Sequence, residues 1–399
     1  MRETERPMKR ILIVNNNMHI GGVQKALVNL LQEVHSDYEI TLLLFYRGGE
    51  LLSEIPEDVK VIIANTPFRY WGMTRQDAGN LGERIVRIFW AAAVRVLGKG
   101  QVLPLIYPLQ DSLKEYDAAI SYLHSGPDRI FYGGCNEFVL HCVNAKKKIT
   151  FLHCDFEKIH AASLYNMRIY QQFDQIAACS SGCRDSFLKA MPQMADKTTV
   201  VRNFQNFQEV RRKAQKAPVV METDKLNIVT VARFGKEKGV LRAIQAIADL
   251  GAEARKLHYY LIGNGAEYAA AVEKIRELKL TDVVSLLGEL ENPYGYMQAA
   301  DVLLVPSVSE AAPMVIGEAA CLGTPVLTTA TSSAYEMVEQ PGLGWVCKNT
   351  VEGIKNGVEV LLSRPDVLQE KRKHMRTLTF DNACARKQFS ELIEQDANC

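Results

Sequence analysis

Residues 302–322, VLLVPSVSEAAPMVIGEAACL, contain a short apolar run, a polar loop and a second apolar stretch of helical length. The run 302–305 has the length of a buried strand, and Pro313 is suited to the first turn of a helix. A strand, a loop and a helix in this order form the repeating unit of a parallel sheet covered by helices. The segment therefore predicts an α/β fold.

The same alternation continues on both sides of this segment. In the second half we predict further strands at residues 227–231, 258–262, 283–286 and 325–328, and helices at 240–250, 268–278, 293–299 and 313–322. In the first half we predict strands at 11–15, 40–45, 59–64, 118–122, 148–152, 175–178 and 199–201, with helices such as 22–34 and 183–190 between them. Two such series indicate two doubly wound, Rossmann-like domains facing a central cleft, with ligands at the carboxyl ends of the strands.

A polar stretch at residues 204–224 separates the two series. It has no clear hydrophobic period, so we interpret it as a linker. The expected domains are residues 1–204 and 205–382, and a length of 399 residues agrees with two domains.

Composition excludes several classes of protein. The 47 Lys and Arg residues nearly balance the 46 Asp and Glu residues, so the chain as a whole is not suited to coating nucleic acid. Nine cysteines are scattered without a CxxC pair, which indicates neither a disulfide framework nor a zinc ribbon. We expect a cytoplasmic protein.

Residues 69–110 depart from the α/β pattern. They hold Arg and Lys in local excess, interleaved with Trp71, Trp90 and aliphatic residues at spacings of three and four. This pattern is typical of a basic amphipathic helix lying on an anionic membrane surface, here the inner face of the cell membrane. The alternative is an ordinary surface helix whose tryptophans pack inward.

Glycines and histidines mark the first half. Gly21 and Gly22 lie between a predicted strand and helix, where backbone N–H groups can face an anion, although turn formation alone also explains the pair. The dinucleotide pattern GxGxxG is absent here. His124 and His153 follow predicted strands, and a near-neutral pKa suits proton transfer at an acceptor hydroxyl. Both are candidate catalytic residues, with His124 favoured.

Charged residues mark the second half. Arg233 and Lys238 share one loop after a predicted strand, where two cations could neutralise a diphosphate; a solvated basic loop is the alternative. Glu310 precedes the helix that begins near Pro313, and Glu318 lies inside it among apolar residues, where an unpartnered carboxylate is costly to bury. Carboxylates accept hydrogen bonds from the paired hydroxyls of sugars.

These motifs, taken in order, resemble the retaining family 4 glycosyltransferases of GT-B fold. The resemblance rests on VARFGKEKG, LIGNGAE, the segment LLGELENPYGYMQAADVLLVPSVSEAAPMVIGEAACLGTPVLTT with its two glutamates eight positions apart, and GLGWV. In the first half it rests on the glycine pair, YDAAISYLHSG and KKITFLHCDF, and there it is closest to enzymes that build capsular or surface polysaccharides and glycolipids.

The resemblance implies a role for each matching position. Arg233 and Lys238 would bind the diphosphate of the donor, assisted by the backbone at Gly21, Gly22, Met314 and Val315. Glu318 would bind ribose hydroxyls, and Glu310 would bind the donor sugar on the face where transfer occurs. Gly263 would let the backbone pass close to the nucleotide, and Leu290 would lie beside the base. Residues from about 383 to 399 would form a helix that crosses back to the first domain.

The implied reaction is transfer of a hexosyl unit, with retention, from a nucleoside diphosphate sugar to a glycan or polyprenyl-type lipid-linked acceptor. A UDP-sugar is the expected donor, and neither a metal nor another cofactor is expected, because no DxD motif lies in a suitable loop. Ala311 and Ala312 depart from the family pattern, in which a Gly and a bulky residue follow the first glutamate. Two alternatives stay open: a nucleotide-sugar 2-epimerase of GT-B fold and a non-catalytic nucleotide-sugar-binding protein.

Overall fold

The structure, a computed structural model, describes residues 8–395. It divides into two compact units: unit 1 comprises Met1–Phe204 with Asn382–Cys399, and unit 2 comprises Gln205–Asp381. Each unit contains one sheet whose neighbouring strands are all parallel. The predicted α/β class is therefore confirmed.

The sheet of unit 1 has seven strands. They are β1 (Arg10–Asn15), β2 (Glu39–Leu44), β3 (Lys60–Ile63), β4 (Leu113–Ser121), β5 (Val143–Leu152), β6 (Gln175–Ala178) and β7 (Thr198–Val200), in the order β3-β2-β1-β4-β5-β6-β7. Residues 11–14 of β1 are fully buried, as expected for a central parallel strand covered on both faces. The strand order reverses between β1 and β4, so loops after these two strands diverge at a position where such sheets bind ligands.

Seven helices connect these strands. They are α1 (Gly22–Val34), α2 (Arg69–Gly72), α3 (Leu81–Leu97), α4 (Lys99–Val102), α5 (Cys135–Cys142), α6 (Leu164–Gln171) and α7 (Ser181–Ala190).

The sheet of unit 2 has six strands. They are β8 (Leu226–Val231), β9 (Leu257–Ile262), β10 (Val284–Gly288), β11 (Val302–Val305), β12 (Val326–Thr329) and β13 (Gly344–Cys347), in the order β10-β9-β8-β11-β12-β13. Its helices are α8 (Phe207–Lys216), α9 (Val240–Ala248), α10 (Tyr268–Glu277), α11 (Tyr294–Ala299), α12 (Met314–Cys321), α13 (Val351–Ser363) and α14 (Pro365–Met375). The loops after β8 and β11 are neighbours because these two central strands pair directly.

The prediction of an irregular linker at residues 204–224 is wrong for its central part, which forms α8. Asn206 caps this helix by accepting a hydrogen bond from the Glu209 N–H. Phe207, Val210 and Ala214 are spaced by three and four and therefore share one face, and the last two are buried. The face packs against α11 and α12, so the segment belongs to the core of unit 2.

The chain returns to unit 1 through α15 (Ala383–Glu394). The Phe389 ring lies 5.9 Å from the Tyr38 ring and 6.2 Å from the Phe204 ring. The Lys147 ammonium donates to the Leu392 carbonyl at 2.7 Å. Residues 396–399 of the expected C-terminal helix lie outside the described residues.

The basic segment 69–110 contains α2, α3 and α4. Trp71 is buried and Trp90 packs against the same core, with the two rings 5.6 Å apart. The exposed side chains of α3 are also largely apolar: they include Leu81, Ile85, Ile88, Phe89 and Val96, each more than half exposed. Among residues 8–395, no helix is long and apolar enough to cross a bilayer.

Candidate functional site

Lys238 and Glu310 form an ion pair between the loops that follow β8 and β11. The Lys238 Nζ lies 2.6 Å from the Glu310 Oε1, and the Ser307 hydroxyl donates to the same oxygen at 2.7 Å. The Glu310 side chain is only 10% exposed, so its charge is held mainly by these two donors. Both use Oε1, which leaves Oε2 able to accept from a sugar hydroxyl.

The two loops are held together by backbone contacts. Gly239 has a φ of +66°, and a Cβ there would lie 2.2 Å from the Pro306 carbonyl oxygen, so a larger residue would force the loops apart. The Arg242 guanidinium donates to the Pro306 and Ser307 carbonyls at 2.8 and 2.7 Å. Arg242 and Ser307 are therefore positioning residues that the sequence analysis missed.

Arg233 lies in the same loop as Lys238 but makes a different contact. Its guanidinium pairs with the Glu237 carboxylate at 2.7 Å, and its side chain is 75% exposed. An exposed pair of this kind contributes little to stability. Arg233 can therefore exchange Glu237 for a phosphate group at low cost.

Glu318 is buried on α12, where the Tyr294 hydroxyl donates to its Oε1 at 3.3 Å. Its position among apolar residues thus includes a hydrogen-bonding partner, as burial of a carboxylate requires. Met314 and Val315 occupy the first turn of the same helix, whose N-terminal N–H groups can face an anion.

Gly263 and Leu290 follow β9 and β10. A Cβ at Gly263 would lie 1.8 Å from the Ala232 carbonyl oxygen, and the φ of Gly263 is +135°, so glycine is required by the backbone of the β8 loop itself. Leu290 packs half-buried against the core of unit 2. These contacts are structural, and only Gly263 is thereby placed against the loop that carries Lys238.

In unit 1, Gly21 and Gly22 lie at the N-terminus of α1. Gly21 is the N-cap, no side chain caps the helix, and a Cβ on Gly22 would touch nothing within 4 Å. The preceding loop is fixed by its own polar residues: the Asn17 amide donates to the Gly72 carbonyl at 2.6 Å, and the His19 Nε2 lies 3.0 Å from the Asp77 carboxylate. These hydrogen bonds fix the loop that precedes the helix.

His124 and His153 lie close enough for their charges to interact, but the near-neutral pKa expected for them is wrong. Burial, and secondarily the charge of Lys99, lowers the pKa of His124 to about 4. Burial, and secondarily the charge of His124, lowers the pKa of His153 to about 3. Both imidazoles are therefore neutral at pH 7.

Asp155, the sequence neighbour of this pair, is engaged elsewhere. Its Oδ1 accepts from the Ser186 hydroxyl at 2.6 Å and from the Lys158 N–H at 3.4 Å. Within residues 8–395, no three His, Cys, Asp or Glu side chains are grouped as the ligands of a metal ion would be.

Residues 211–379, which include the Lys238–Glu310 pair and α12, match the family model described as glycosyl transferases group 1. Over these residues, unit 2 is similar to the glycosyl transferases of group 1. The resemblance found in the sequence is thereby confirmed over the part of the chain that holds its strongest motifs.

Two curated relatives of this chain are named for amylovoran and O-antigen biosynthesis. The amylovoran biosynthesis glycosyltransferase AmsK of Erwinia amylovora is 29% identical over 187 residues, 43% of this chain and 45% of the relative. The O-antigen biosynthesis glycosyltransferase WclY of Escherichia coli is 30% identical over 118 residues, 30% of this chain and 32% of the relative. The chain thus spans less than half the length of these relatives.

Solved glycosyltransferase structures share the fold of this chain. Anabaena HepE, crystallised in complex with UDP-glucose, has a TM-score of 0.66 at 17% identity and covers 96% of this chain and 98% of its own. WaaG, a glycosyltransferase involved in lipopolysaccharide biosynthesis, has a TM-score of 0.63 at 16% identity and covers 96% of this chain and 99% of its own. At such identities the similarity concerns the fold alone, and the predicted GT-B fold is confirmed.

Proposed function

We propose that this protein is a retaining glycosyltransferase of surface polysaccharide or glycolipid synthesis. It moves a hexosyl unit from a nucleoside diphosphate sugar to a glycan or lipid-linked acceptor. The observation that carries the proposal is the half-buried Lys238–Glu310 pair at the carboxyl ends of β8 and β11, beside the N-terminus of α12. The relatives named for polysaccharide synthesis support the product class, and the similarity to HepE, crystallised with UDP-glucose, supports a UDP-sugar as donor.

The geometry suits departure of a nucleoside diphosphate. An ammonium group has three N–H donors, so Lys238 can hold Glu310 with one and phosphate oxygens with the others. Arg233 and the first N–H groups of α12 add positive potential where the leaving group gains charge. In the proposed reaction these groups stabilise the negative charge of the leaving group. The proposed reaction therefore requires no metal or other cofactor.

The carboxylates orient the sugars. Glu310 binds hydroxyls of the donor sugar through Oε2, and Glu318, already bonded to Tyr294, binds the ribose hydroxyls. In the proposed step the bond from the anomeric carbon to the phosphate oxygen breaks and a bond to the acceptor oxygen forms on the same face. The departing phosphate oxygen takes the acceptor proton, and configuration is retained because the new bond forms on the face that the phosphate leaves.

On the acceptor side, we assign His124 and His153 the orientation of the acceptor hydroxyl. A neutral imidazole can both donate and accept a hydrogen bond, and both rings are neutral at pH 7 because burial lowers their pKa. Gly21 and Gly22, at the uncapped N-terminus of α1, supply backbone N–H groups to the donor.

The donor site is tested by variants of the ion pair. UDP-sugars that raise the melting temperature of the protein are first selected, and transfer from them to a glycan or lipid-linked acceptor is then measured. We expect Lys238→Met and Glu310→Gln to lower kcat about 100-fold or more, because each removes a charge from the reacting centre. Lys236→Met, two residues earlier on an exposed position, is the matched control.

Two outcomes would contradict the proposal. Conversion of the donor sugar at full rate without any acceptor would favour the 2-epimerase alternative. Donor binding without product formation, unaffected by Glu310→Gln, would favour a non-catalytic nucleotide-sugar-binding protein.

We also propose that unit 1 attaches peripherally to an anionic membrane, the inner face of the cell membrane. The exposed apolar residues of α3 lie beside Arg84, Arg87 and Arg95, which is the pattern that binds anionic lipid surfaces. Co-sedimentation with vesicles containing phosphatidylglycerol tests this. We expect Ile88→Ser with Phe89→Ser to abolish binding at low salt, and Val272→Ser, an exposed position on α10, to leave it unchanged; absence of binding by the native protein at low salt would overturn the proposal.

A further inference from the structure

Unit 1 contains a second basic site, separate from the loop of unit 2 that carries Arg233 and Lys238, and two of its arginines lie on α3. It is a pocket of about 690 Å³ into which four arginines project: Arg75, Arg87, Arg95 and Arg129. Ala91, Ile130 and Phe131 complete its lining, and no carboxylate of the described residues lines it. We call it the arginine pocket.

Three of the four arginines have no ion-pair partner in the part of the chain that the structure describes. Within residues 8–395, Arg75, Arg95 and Arg129 form no ion pair and no side-chain hydrogen bond, while the Arg87 Nε donates to the Met73 carbonyl at 2.9 Å and its guanidinium stacks 5.6 Å from the Phe131 ring centre. Burial, and secondarily the charge of Arg75, lowers the pKa of Arg87. The charge of the nearby Asp77 carboxylate, which also binds Thr74 and His19, partly opposes this lowering of the Arg87 pKa.

Four like charges around one cavity repel each other unless an anion lies between them. Guanidinium groups match the oxygens of phosphate in bidentate geometry, and four of them suit a group with several oxygens and more than one negative charge. A single carboxylate would leave most of this charge unbalanced. Arg87, held by Met73 and Phe131, supplies a preorganised donor to the set.

The pocket adjoins the apolar face of α3. Arg87, Ala91 and Arg95 follow each other at intervals of four, so they share one side of the helix. Leu81, Ile85, Ile88 and Val96 lie on the adjoining side and are exposed. One helix therefore offers arginines to an anionic head group and an exposed apolar side to a hydrocarbon tail.

The loop after β4 links the pocket to the candidate acceptor residues. His124 lies at its start, and Arg129, Ile130 and Phe131 follow within seven residues. Lys99, which is fully buried, fixes this loop by donating to the Gly126 carbonyl at 3.2 Å through Nζ and to the Asp128 carbonyl at 3.0 Å through its backbone N–H.

We propose that the arginine pocket binds a phosphate or diphosphate group, and that this group belongs to the lipid-linked acceptor. The assignment to an acceptor rests on the proposed function; the anion site itself does not. Bound there, the anion would hold the acceptor beside the loop that carries His124, with its tail along α3.

Binding is measured by calorimetry with inorganic pyrophosphate and with farnesyl diphosphate. Both titrations use Arg233→Ala/Lys238→Ala protein, so that the basic loop of unit 2 does not contribute. We expect Arg75→Gln/Arg95→Gln/Arg129→Gln to weaken pyrophosphate binding at least about tenfold, since three charge-assisted contacts are lost. These three side chains are exposed and bond to no other described residue, so the variant should fold.

The control removes the same charge elsewhere, through Arg168→Gln/Arg202→Gln/Arg255→Gln at exposed positions. Equal weakening by both triple variants, or no pyrophosphate binding at all, would overturn the anion site.

Tighter binding of farnesyl diphosphate than of pyrophosphate, with the gain lost in Ile88→Ser/Phe89→Ser, would support a lipid-borne phosphate. Equal affinities would overturn the lipid assignment and leave a site for a free anion. Donor turnover is measured separately, so failure of the proposed function gives a different result from failure of this site.

Discussion

At the scale of single residues, burial determines the protonation of the two histidines near the carboxyl ends of β4 and β5. An imidazole transferred from water to a protein interior loses hydration that the charged form needs more than the neutral form. The pKa of His124 falls to about 4 and that of His153 to about 3. Each is thus a neutral hydrogen-bonding group in the folded protein and a partly charged group in the unfolded chain near pH 6.

This difference predicts that the protein loses stability as the pH falls. Between pH 6.5 and the folded pKa values, the unfolded chain binds protons at both histidines and the folded protein does not, so the free energy of unfolding decreases with falling pH. From pH 7 to pH 5 the loss should be about 2 kcal/mol for each histidine. Urea denaturation at the two pH values measures it.

The double variant His124→Gln/His153→Gln should show a smaller loss over the same pH range, because glutamine does not titrate. His374→Gln, which removes an exposed imidazole in unit 2, is the control. An unchanged pH dependence in the double variant would contradict the pKa values of these two histidines.

Sequence analysis selected the charged residues of the candidate site but not the residues that position them. Glu310, Glu318 and Lys238 could be selected from the sequence. Each is a charged residue beside the end of a buried strand or within an apolar helix, where burial of a charge is unfavourable unless a partner compensates it. Arg242 could not, because its acceptors are backbone carbonyls more than 60 residues away, which no local pattern encodes. The histidine pKa values likewise depend on burial, which only the folded chain determines.

At the scale of elements, buried parallel strands were predictable and α8 was not. A strand covered on both faces must be apolar along its length, so β1 and β11 appear as continuous runs in the sequence. The apolar positions of α8 are three residues in a stretch that is otherwise polar or charged, and helical propensity is a weak signal in so short a segment. Its packing against α11 and α12, rather than its own sequence, stabilises it.

Truncating the buried face of α8 should therefore destabilise unit 2. Val210→Ala removes two methyl groups from a side chain that is 3% exposed, and we expect the free energy of unfolding to fall by about 2 kcal/mol. Lys216→Ala, at the exposed end of the same helix, should change it by less than about 0.5 kcal/mol. Urea denaturation, with hydrogen exchange of β8 and β11 as the probe of unit 2, compares the two variants. Equal effects of Val210→Ala and Lys216→Ala would indicate that α8 is a surface linker.

At the scale of the whole molecule, the positive charge available to anions is concentrated in a small part of the surface. The formal net charge is only +1, so attraction to a membrane or a phosphate group must come from a local excess of charge rather than from the protein's overall field. The arginine pocket and the arginines of α3 supply that excess within one unit. Binding of anions should consequently depend on a few side chains and be sensitive to their removal.

The stability of each unit depends on the elements that pack within it, including an element that is distant in sequence. The last described helix, α15, belongs to the unit that contains the first strand, because Phe389 fills a space beside Tyr38 and Phe204. Phe389→Ala should remove about 3–5 kcal/mol of stability from unit 1, since it leaves a large cavity under a residue that is 1% exposed. Hydrogen exchange should then accelerate in β1–β7 and stay unchanged in β8–β13, whereas Lys387→Ala, on the exposed side of the same helix, should affect neither sheet. Faster exchange in the sheet of unit 2, which precedes α15 directly in sequence, would show that the helix stabilises its neighbour in the chain instead.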